Sequence, residues 1–217
     1  MKREPNSSHA IELDIWSDYV CPFCYLAEPV IEKIKSEFSP LVKVRWRAYE
    51  LRPDPVPTLD PNGEYLHRVW GQAVYPMAAE REIKVRLPPV QPRSRLAHEA
   101  VAFARLQNRD LELHHAIFRA FFEFGEDIGK PDVLIRLAVK LGLEEPALRK
   151  ALAEGEFRDE VLADETRSQK LEITGVPATF IRPHGVPIET AARVEGAQPY
   201  ETFLMEVENC LEDAKPK

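Results

Sequence analysis

Two cysteines separated by two residues, Cys21-Pro22-Phe23-Cys24, are the part of this sequence best suited to chemistry. They follow an apolar stretch at 11–16 and precede a helical pattern, so they are predicted at a strand–helix junction. The partial positive charge of a helix N-terminus favours a thiolate over a thiol. Cys21 is therefore predicted to attack disulfides, and Cys24, one turn further into the helix, to resolve the resulting mixed disulfide. Pro22 suits the first helical position, where an N–H has no intrahelical partner.

A CxxC pair is also half of a zinc site, which would need two further soft or imidazole ligands. Cys210 is the one remaining cysteine, and the six histidines show no paired spacing with it. We therefore predict no metal site and interpret His114-His115 as a solvated or capping pair at a helix start. Cys210 is predicted to be an unreactive apolar filler in the C-terminal helix, because that is a common role of free cysteine.

A second motif lies at 174–181, where a Gly-Val-Pro sequence leads into a β-rich run. A proline ordinarily begins or edges a strand, so the motif alone does not require a cis peptide bond at Pro177. Together with the two cysteines, it is typical of folds that place a cis-proline opposite a CxxC pair. In such folds the residue before the proline, here Val176, offers its backbone to an extended substrate by strand addition.

These motifs resemble the DsbA-like thioredoxin family, and within it the FrnE-type branch. The resemblance extends from about residue 10 to residue 210 and rests on the segments 17–25, 46–53, 97–100, 120–123, 127–128, 174–180 and 196–199. It implies a thiol–disulfide oxidoreductase whose functional positions are Cys21, Cys24 and Pro177. Substrate contacts are expected at Val176, Pro177, Pro22 and Phe23. The resemblance also implies that an all-helical domain is inserted between the two halves of a thioredoxin fold.

Two positions depart from the family pattern. DsbA has a histidine where Phe23 stands, and Phe23 cannot donate a hydrogen bond to the Cys21 thiolate. We therefore expect this protein to be less strongly oxidising than DsbA. Many thioredoxin-fold enzymes carry a buried acid at the position of Ile15, and Asp14 is expected to face the other side of the strand. Asp18 is expected to bond backbone N–H groups in the loop before Cys21.

The periodicity of apolar residues predicts strands at 11–16 and 41–49 with a helix from 22 to about 38 between them. The alternation in the second strand predicts a basic outer face made of Lys43, Arg45 and Arg47. Helices are predicted at 63–83, 94–107, 110–123, 131–141 and 145–172, the last interrupted near Gly155. Strands at 177–182 and 192–195 and a helix at 199–213 complete the chain. We therefore divide it into a discontinuous thioredoxin-like domain, 10–60 with 173–214, and a helical insertion domain, 61–172.

Composition excludes several classes of function. The chain has 217 residues and a net charge of −7, with no dense cluster of Lys and Arg, which argues against nucleic acid and anionic membranes as partners. Residues 1–8 contain no apolar segment typical of a signal peptide, and no run approaches a membrane span. We expect a cytoplasmic protein whose partners are protein or small-molecule thiols and disulfides. No cofactor is expected beyond the cysteine pair and an external thiol such as glutathione.

Two other classes of function stay open. The same fold branch includes glutathione-dependent isomerases, and FrnE-type proteins have been linked to polyketide isomerisation. An isomerase needs no resolving thiol, so the presence of both Cys21 and Cys24 favours redox cycling. A thiol-containing holdase that binds unfolded chains on its helical domain is the third class. Phe118, Phe121, Phe122 and Phe124 would then form the binding surface, although such a stripe is more often core.

Overall fold

Four strands form one mixed sheet in the order β2-β1-β3-β4 in a computed structural model that describes residues 10–214. The strands are β1 (Ile11–Ser17), β2 (Val42–Ala48), β3 (Ala178–Pro183) and β4 (Ala192–Glu195). β1 pairs in parallel with β2 and antiparallel with β3, and β3 pairs antiparallel with β4. Each strand lies within two residues of its predicted bounds. The prediction about the N-terminal segment 1–8 falls outside the described residues.

The helices of the described chain are α1 (Pro22–Glu37), α2 (Glu64–Val69), α3 (Tyr75–Glu80), α4 (Arg95–Arg105), α5 (Asp110–Phe122), α6 (Pro131–Lys140), α7 (Glu145–Glu154), α8 (Arg158–Lys170) and α9 (Tyr200–Asp213). All seven helices from α2 to α8 lie between β2 and β3 in sequence, and residues 49–177 contain no strand. The fold is therefore a thioredoxin fold with an all-helical insertion between its halves. The domain boundaries at residues 60 and 172 stay a prediction.

The central strand β1 is buried because helices cover both faces of the sheet. Its residues Ile11, Leu13 and Ile15 pack with apolar residues of α1 and α9 on one face. On the other face Trp16 packs against Phe180, and its indole N–H donates to a backbone carbonyl of α8 at 3.0 Å. The alternation of side chains along a strand thus directs Ile15 into an apolar layer, as the sequence predicts.

Arg47 corrects the prediction that β2 has a basic face toward solvent. Its guanidinium lies 2.7 Å from an oxygen of Asp14 and 3.0 Å from Asp164 of α8, and its side chain is only 14% exposed. Asp14 also binds Arg182 of β3 at 2.8 Å. The ion pairs join three strands and α8 because paired charges can be buried where lone charges cannot. Lys43 and Arg45 are exposed, as predicted.

The predicted helix at 63–83 contains a change of helix type just before Pro76. Residues Trp70–Val74 form a π-helical turn between α2 and α3, in which the N–H of Tyr75 donates to the carbonyl of Trp70. A proline clashes with the carbonyl four residues before it, and the wider turn relieves that crowding. The helix ends at Glu80, three residues earlier than predicted.

Glycines end three of the inserted helices. Gly125, Gly142 and Gly155 have φ of 69°, 84° and 65°, a left-handed conformation that glycine adopts without a steric penalty. Gly155 separates α7 from α8, as predicted. Gly129 lies in the turn before α6, where a Cβ would come within 2.8 Å of Pro92. Among the described residues, no helix is long and apolar enough to cross a membrane.

Candidate active site

Cys21 occupies the position immediately before helix α1. Its backbone is extended, with φ −90° and ψ 113°, and Pro22 is the first helical residue. The carbonyl of Cys21 accepts N–H groups of Cys24 and Tyr25 at 3.1 Å and 3.3 Å, which begins the helix. The first turn contains no acidic residue. A thiolate at Cys21 would therefore meet the positive end of the helix dipole without a carboxylate from the same turn.

Cys24 lies one turn deeper and is fully buried, while Cys21 is 4% exposed. The Cys24 sulfur accepts a hydrogen bond from the backbone N–H of Asp18 at 3.5 Å. Burial, and then the hydrogen bond with the Cys21 thiol, raises the pKa of Cys24 well above the ordinary range of a thiol. Cys24 thus remains protonated until a reaction removes its proton, which suits a resolving rather than an attacking thiol.

The proline loop lies beside Cys21. The Cys21 thiol donates to the carbonyl oxygen of Val176 at 3.4 Å, and the Val176–Pro177 peptide bond is cis. Pro177 is buried, and its carbonyl accepts the N–H of Gly196 at 2.8 Å, which anchors the loop to the end of β4. The structure therefore brings the two motifs together although 152 residues separate Cys24 and Val176 in the sequence.

A cavity of about 280 Å³ opens next to Cys21. Pro22, Phe23 and Val176, three of the four predicted substrate contacts, are among its lining residues. The helical insertion supplies further lining residues, among them the aromatic Tyr65, Trp70 and Phe122. Cavities lined by apolar residues with few polar groups are typical of ligand sites. The site is thus shared between the thioredoxin fold and the insertion.

Sequence patterns did not single out Tyr65 or Trp70 as part of this site. Both lie on a helix that begins after a proline-rich connector, and the connector itself contributes Arg52 and Leu59 to the cavity. The π-helical turn that begins at Trp70 is the one unusual feature of this helix, and such turns are frequent at functional sites. Pro76 is the sequence signal that could have indicated this π-helical turn.

Asp18 connects the loop before Cys21 to the connector after β2. Its carboxylate accepts the N–H of Val20 at 3.2 Å and that of Leu51 at 2.7 Å, as predicted for backbone binding. Burial raises the pKa of Asp18 to about 6. The nearby His98, 3.9 Å away, supplies no compensating cation, because burial lowers the pKa of His98 to about 3. Asp18 therefore positions the cysteine loop at an electrostatic cost.

Because burial of the ionised Asp18 carboxylate is unfavourable, Asp18→Asn should change stability by an amount that depends on pH. Between about pH 4 and the folded-state pKa of about 6, the folded chain keeps a proton that the unfolded chain has released. Stability due to Asp18 therefore falls as pH rises through this range. We expect the free energy of unfolding of Asp18→Asn, relative to wild type, to be about 2 kcal/mol higher at pH 7 than at pH 4. Urea unfolding at both pH values measures it, and a pH-independent difference would contradict it.

The interpretation of His114-His115 as a solvated or capping pair is wrong. Both residues lie within α5, not at its start, and His114 is only 2% exposed. His114 Nδ1 lies 2.9 Å from the hydroxyl of Tyr19, in the loop before Cys21, and the indole of Trp46 packs on its ring at 4.4 Å. The sequence does not indicate this burial because the groups that cover His114 come from distant segments.

Cys210 packs in a different apolar cluster from Cys21 and Cys24. It lies in α9 within the apolar layer that contains Phe203 and Val207, whereas Cys21 and Cys24 belong to the core of the insertion. Burial, and then the charges of Asp213 and Glu206, raise the pKa of Cys210 to about 11. We expect Cys210→Ser to leave disulfide turnover nearly unchanged. Loss of turnover by about tenfold or more in a folded variant would show that Cys210 takes part in electron transfer.

Comparison with known proteins gives one family. A sequence model of the DSBA-like thioredoxin domain matches residues 12–208. YwbO of Bacillus subtilis (strain 168), an uncharacterized protein, is 35% identical in an alignment of 176 positions that covers 79% of this chain and 86% of YwbO. The probable DsbA oxidoreductase SCO1869 from Streptomyces coelicolor superposes with a TM-score of 0.77 at 26% identity, covering 95% of this chain and 92% of that one. The cytosolic disulfide reductase DsbM from Pseudomonas aeruginosa, solved with GSH, superposes with a TM-score of 0.67 at 19% identity over 91% and 99% of the two chains. Since the matched region includes both the cysteine pair and the proline loop, the chain belongs to the DSBA-like thioredoxin domain family.

Proposed function

We propose that this protein is a thiol–disulfide oxidoreductase that cycles Cys21 and Cys24 between dithiol and disulfide. The observation that carries the proposal is the contrast between the two thiols. Cys21 lies at the start of α1, against the carbonyl of Val176 and at the wall of the apolar cavity. Cys24 is sealed behind it with a raised pKa. An attacking and a resolving thiol require this difference in access.

In the reducing direction, the Cys21 thiolate attacks one sulfur of a substrate disulfide and forms a mixed disulfide. The other substrate sulfur leaves as a thiolate. Cys24 then loses its proton to that thiolate or to solvent and attacks the Cys21 sulfur. This step forms the Cys21–Cys24 disulfide and releases the second substrate thiol, so two electrons pass to the substrate. Two molecules of an external thiol such as glutathione restore the dithiol by the same exchange in reverse and leave joined as a disulfide.

Two features define the substrates we propose. The carbonyl of Val176 beside Cys21 would accept a backbone N–H from an extended peptide in the oxidised enzyme, when the Cys21 thiol no longer occupies it. The aromatic lining residues of the cavity would hold an apolar group next to the reacting sulfur. The substrates are therefore proteins or small thiols with apolar flanking groups.

We place the protein in the cytoplasm and in the FrnE-type branch, in line with the cytosolic reductase that shares its fold.

An isomerase is the second candidate, because an apolar cavity of about 280 Å³ also suits a small aromatic molecule. The two functions differ in their need for Cys24. Reduction of insulin disulfides by a glutathione-coupled assay should proceed with wild type and stop with Cys24→Ser. Isomerisation of a chromene carboxylate would survive that substitution. Turnover of the chromene substrate without insulin reduction would reject the proposed redox function, and suppression of aggregation without either turnover would favour a holdase.

A further inference from the structure

Three side chains outside the cysteine site converge between the helix that carries the cysteines and the helical insertion. Glu28 lies in α1, and His114 and His115 lie in α5. Glu28 Oε1 is 3.0 Å from His114 Nε2 and 2.8 Å from His115 Nδ1. One ligand atom from each of the three residues can be chosen so that all lie within 4.8 Å of one another. Carboxylate and imidazole are common ligands of zinc and related metal ions.

Glu28 makes two close contacts, of which the one to His115 has the alignment of a hydrogen bond and the one to His114 is less well aligned. His114 Nε2 is buried and has no hydrogen-bond partner, although Glu28 Oε1 is 3.0 Å away. In a hydrogen bond the N–H points at the acceptor, whereas two ligand atoms of a metal point at a third position between them. The other ring nitrogen, Nδ1, lies 2.9 Å from the Tyr19 hydroxyl. A ligating histidine is typically oriented by a partner on its second nitrogen, as here.

We propose that Glu28, His114 and His115 form a binding site for a divalent transition-metal ion of the Zn²⁺ class, with water in an open fourth position. Bonds of about 2.1 Å at the tetrahedral angle separate two ligand atoms by about 3.4 Å. The observed separations of 2.8 Å and 3.0 Å are about half an ångström shorter, so small side-chain rotations complete the geometry. A site of three protein ligands leaves one coordination position open for exchange.

The site is accessible and acidic. Glu28 and His115 line an open pocket of about 540 Å³, and His115 has a side chain 34% exposed. Glu32 is on the same wall, with Oε1 buried, lacking a hydrogen-bond partner and 3.9 Å from His115 Nε2. It is placed to bind the metal-bound water. The positive charge of Arg119 in the same pocket is balanced by Glu123 at 3.1 Å.

The sequence did not indicate this site because adjacent histidines are not a metal motif and the carboxylate comes from another helix. A bound ion would join α1, which begins after Cys21, to α5. It would also be linked through His114 and Tyr19 to the loop before the cysteines. The proposal does not depend on the thiol chemistry and can fail or succeed independently of it.

Titration of the full-length protein with Co²⁺ tests the proposal directly. We expect one equivalent to bind and to give the visible absorption of four- or five-coordinate cobalt without the intense near-ultraviolet charge-transfer band of a cobalt thiolate. Glu28→Gln and His115→Ala should each weaken binding by at least about tenfold, since even partners of ligands contribute that much. His67→Ala, which removes an exposed histidine of α2, should leave the affinity unchanged.

Thermal denaturation with Zn²⁺ gives a second readout. A ligand that binds the folded state alone raises the melting temperature, so Zn²⁺ should raise it for wild type and His67→Ala but not for His115→Ala. His115 is partly exposed, and its alanine variant should fold even if Glu28→Gln does not. Cobalt absorption with thiolate character, equal affinity in His115→Ala and wild type, or no stoichiometric binding would each overturn the proposal.

Discussion

Replacing Cys21 by serine is expected to abolish disulfide turnover, whereas replacing Cys24 by serine should arrest the reaction halfway. Cys21 is the thiol at the cavity, so its loss removes the attacking group. Cys24 is fully buried and can reach only the sulfur of Cys21, so its loss leaves the mixed disulfide unresolved. Substrate should therefore remain covalently bound to Cys24→Ser and should not bind covalently to Cys21→Ser.

Non-reducing electrophoresis and intact-mass measurement after incubation with a disulfide peptide distinguish the two variants. Cys210→Ser is the matched control, because it removes a buried thiol outside the site. It should neither trap substrate nor lose turnover. Equal trapping by Cys21→Ser and Cys24→Ser would contradict the assignment of their roles.

Truncation of Phe118 is expected to cause a large loss of stability. Phe118 is fully buried and packs against Tyr19 in the cysteine loop and Tyr25 in α1, with ring centroids 4.9 Å and 5.7 Å apart. Phe118→Ala therefore leaves a cavity where the insertion meets the active-site helix. We expect it to lower the free energy of unfolding by about 3–5 kcal/mol.

Phe124→Ala provides the control for the same change of side chain. Phe124 lies just beyond α5 and is 57% exposed, so its truncation should change stability by less than about 0.5 kcal/mol. Urea unfolding followed by tryptophan fluorescence measures both variants. Similar losses in the two variants would contradict the view that Phe118 holds the insertion against the thioredoxin fold.

The four phenylalanines between positions 118 and 124 show what sequence periodicity can and cannot predict. Phe118, Phe121 and Phe122 are core residues, in agreement with the expected role of an aromatic stripe. Phe122 nevertheless also lines the cavity beside Cys21, and Phe124 is outside the core. Helical spacing predicts which residues face the same direction, but it does not indicate where a helix ends or what lies opposite it.

The elements around the cysteines could be predicted because local rules determine them. Pro22 begins α1, Gly155 ends α7, and the alternation in β1 directs Ile15 into the core. Each of these features depends on residues that lie within a few positions of one another in the sequence. Local rules could not predict three other features, which are the pairing of Asp14 with Arg47, the burial of His114 and the cavity wall at Trp70. Each depends on contacts between segments far apart in sequence, which no local pattern specifies.

The proposed redox function requires that Cys21 and Cys24 form one reversible disulfide. Equilibration of the purified protein in glutathione buffers of graded ratio, followed by acid quenching, thiol alkylation and mass spectrometry, tests it most directly. We predict a single two-electron transition in which Cys21 and Cys24 change together while Cys210 stays reduced, with a potential more reducing than the approximately −120 mV of DsbA. Independent glutathione adducts on Cys21 and Cys24, without a disulfide between them at any ratio, would contradict the claim.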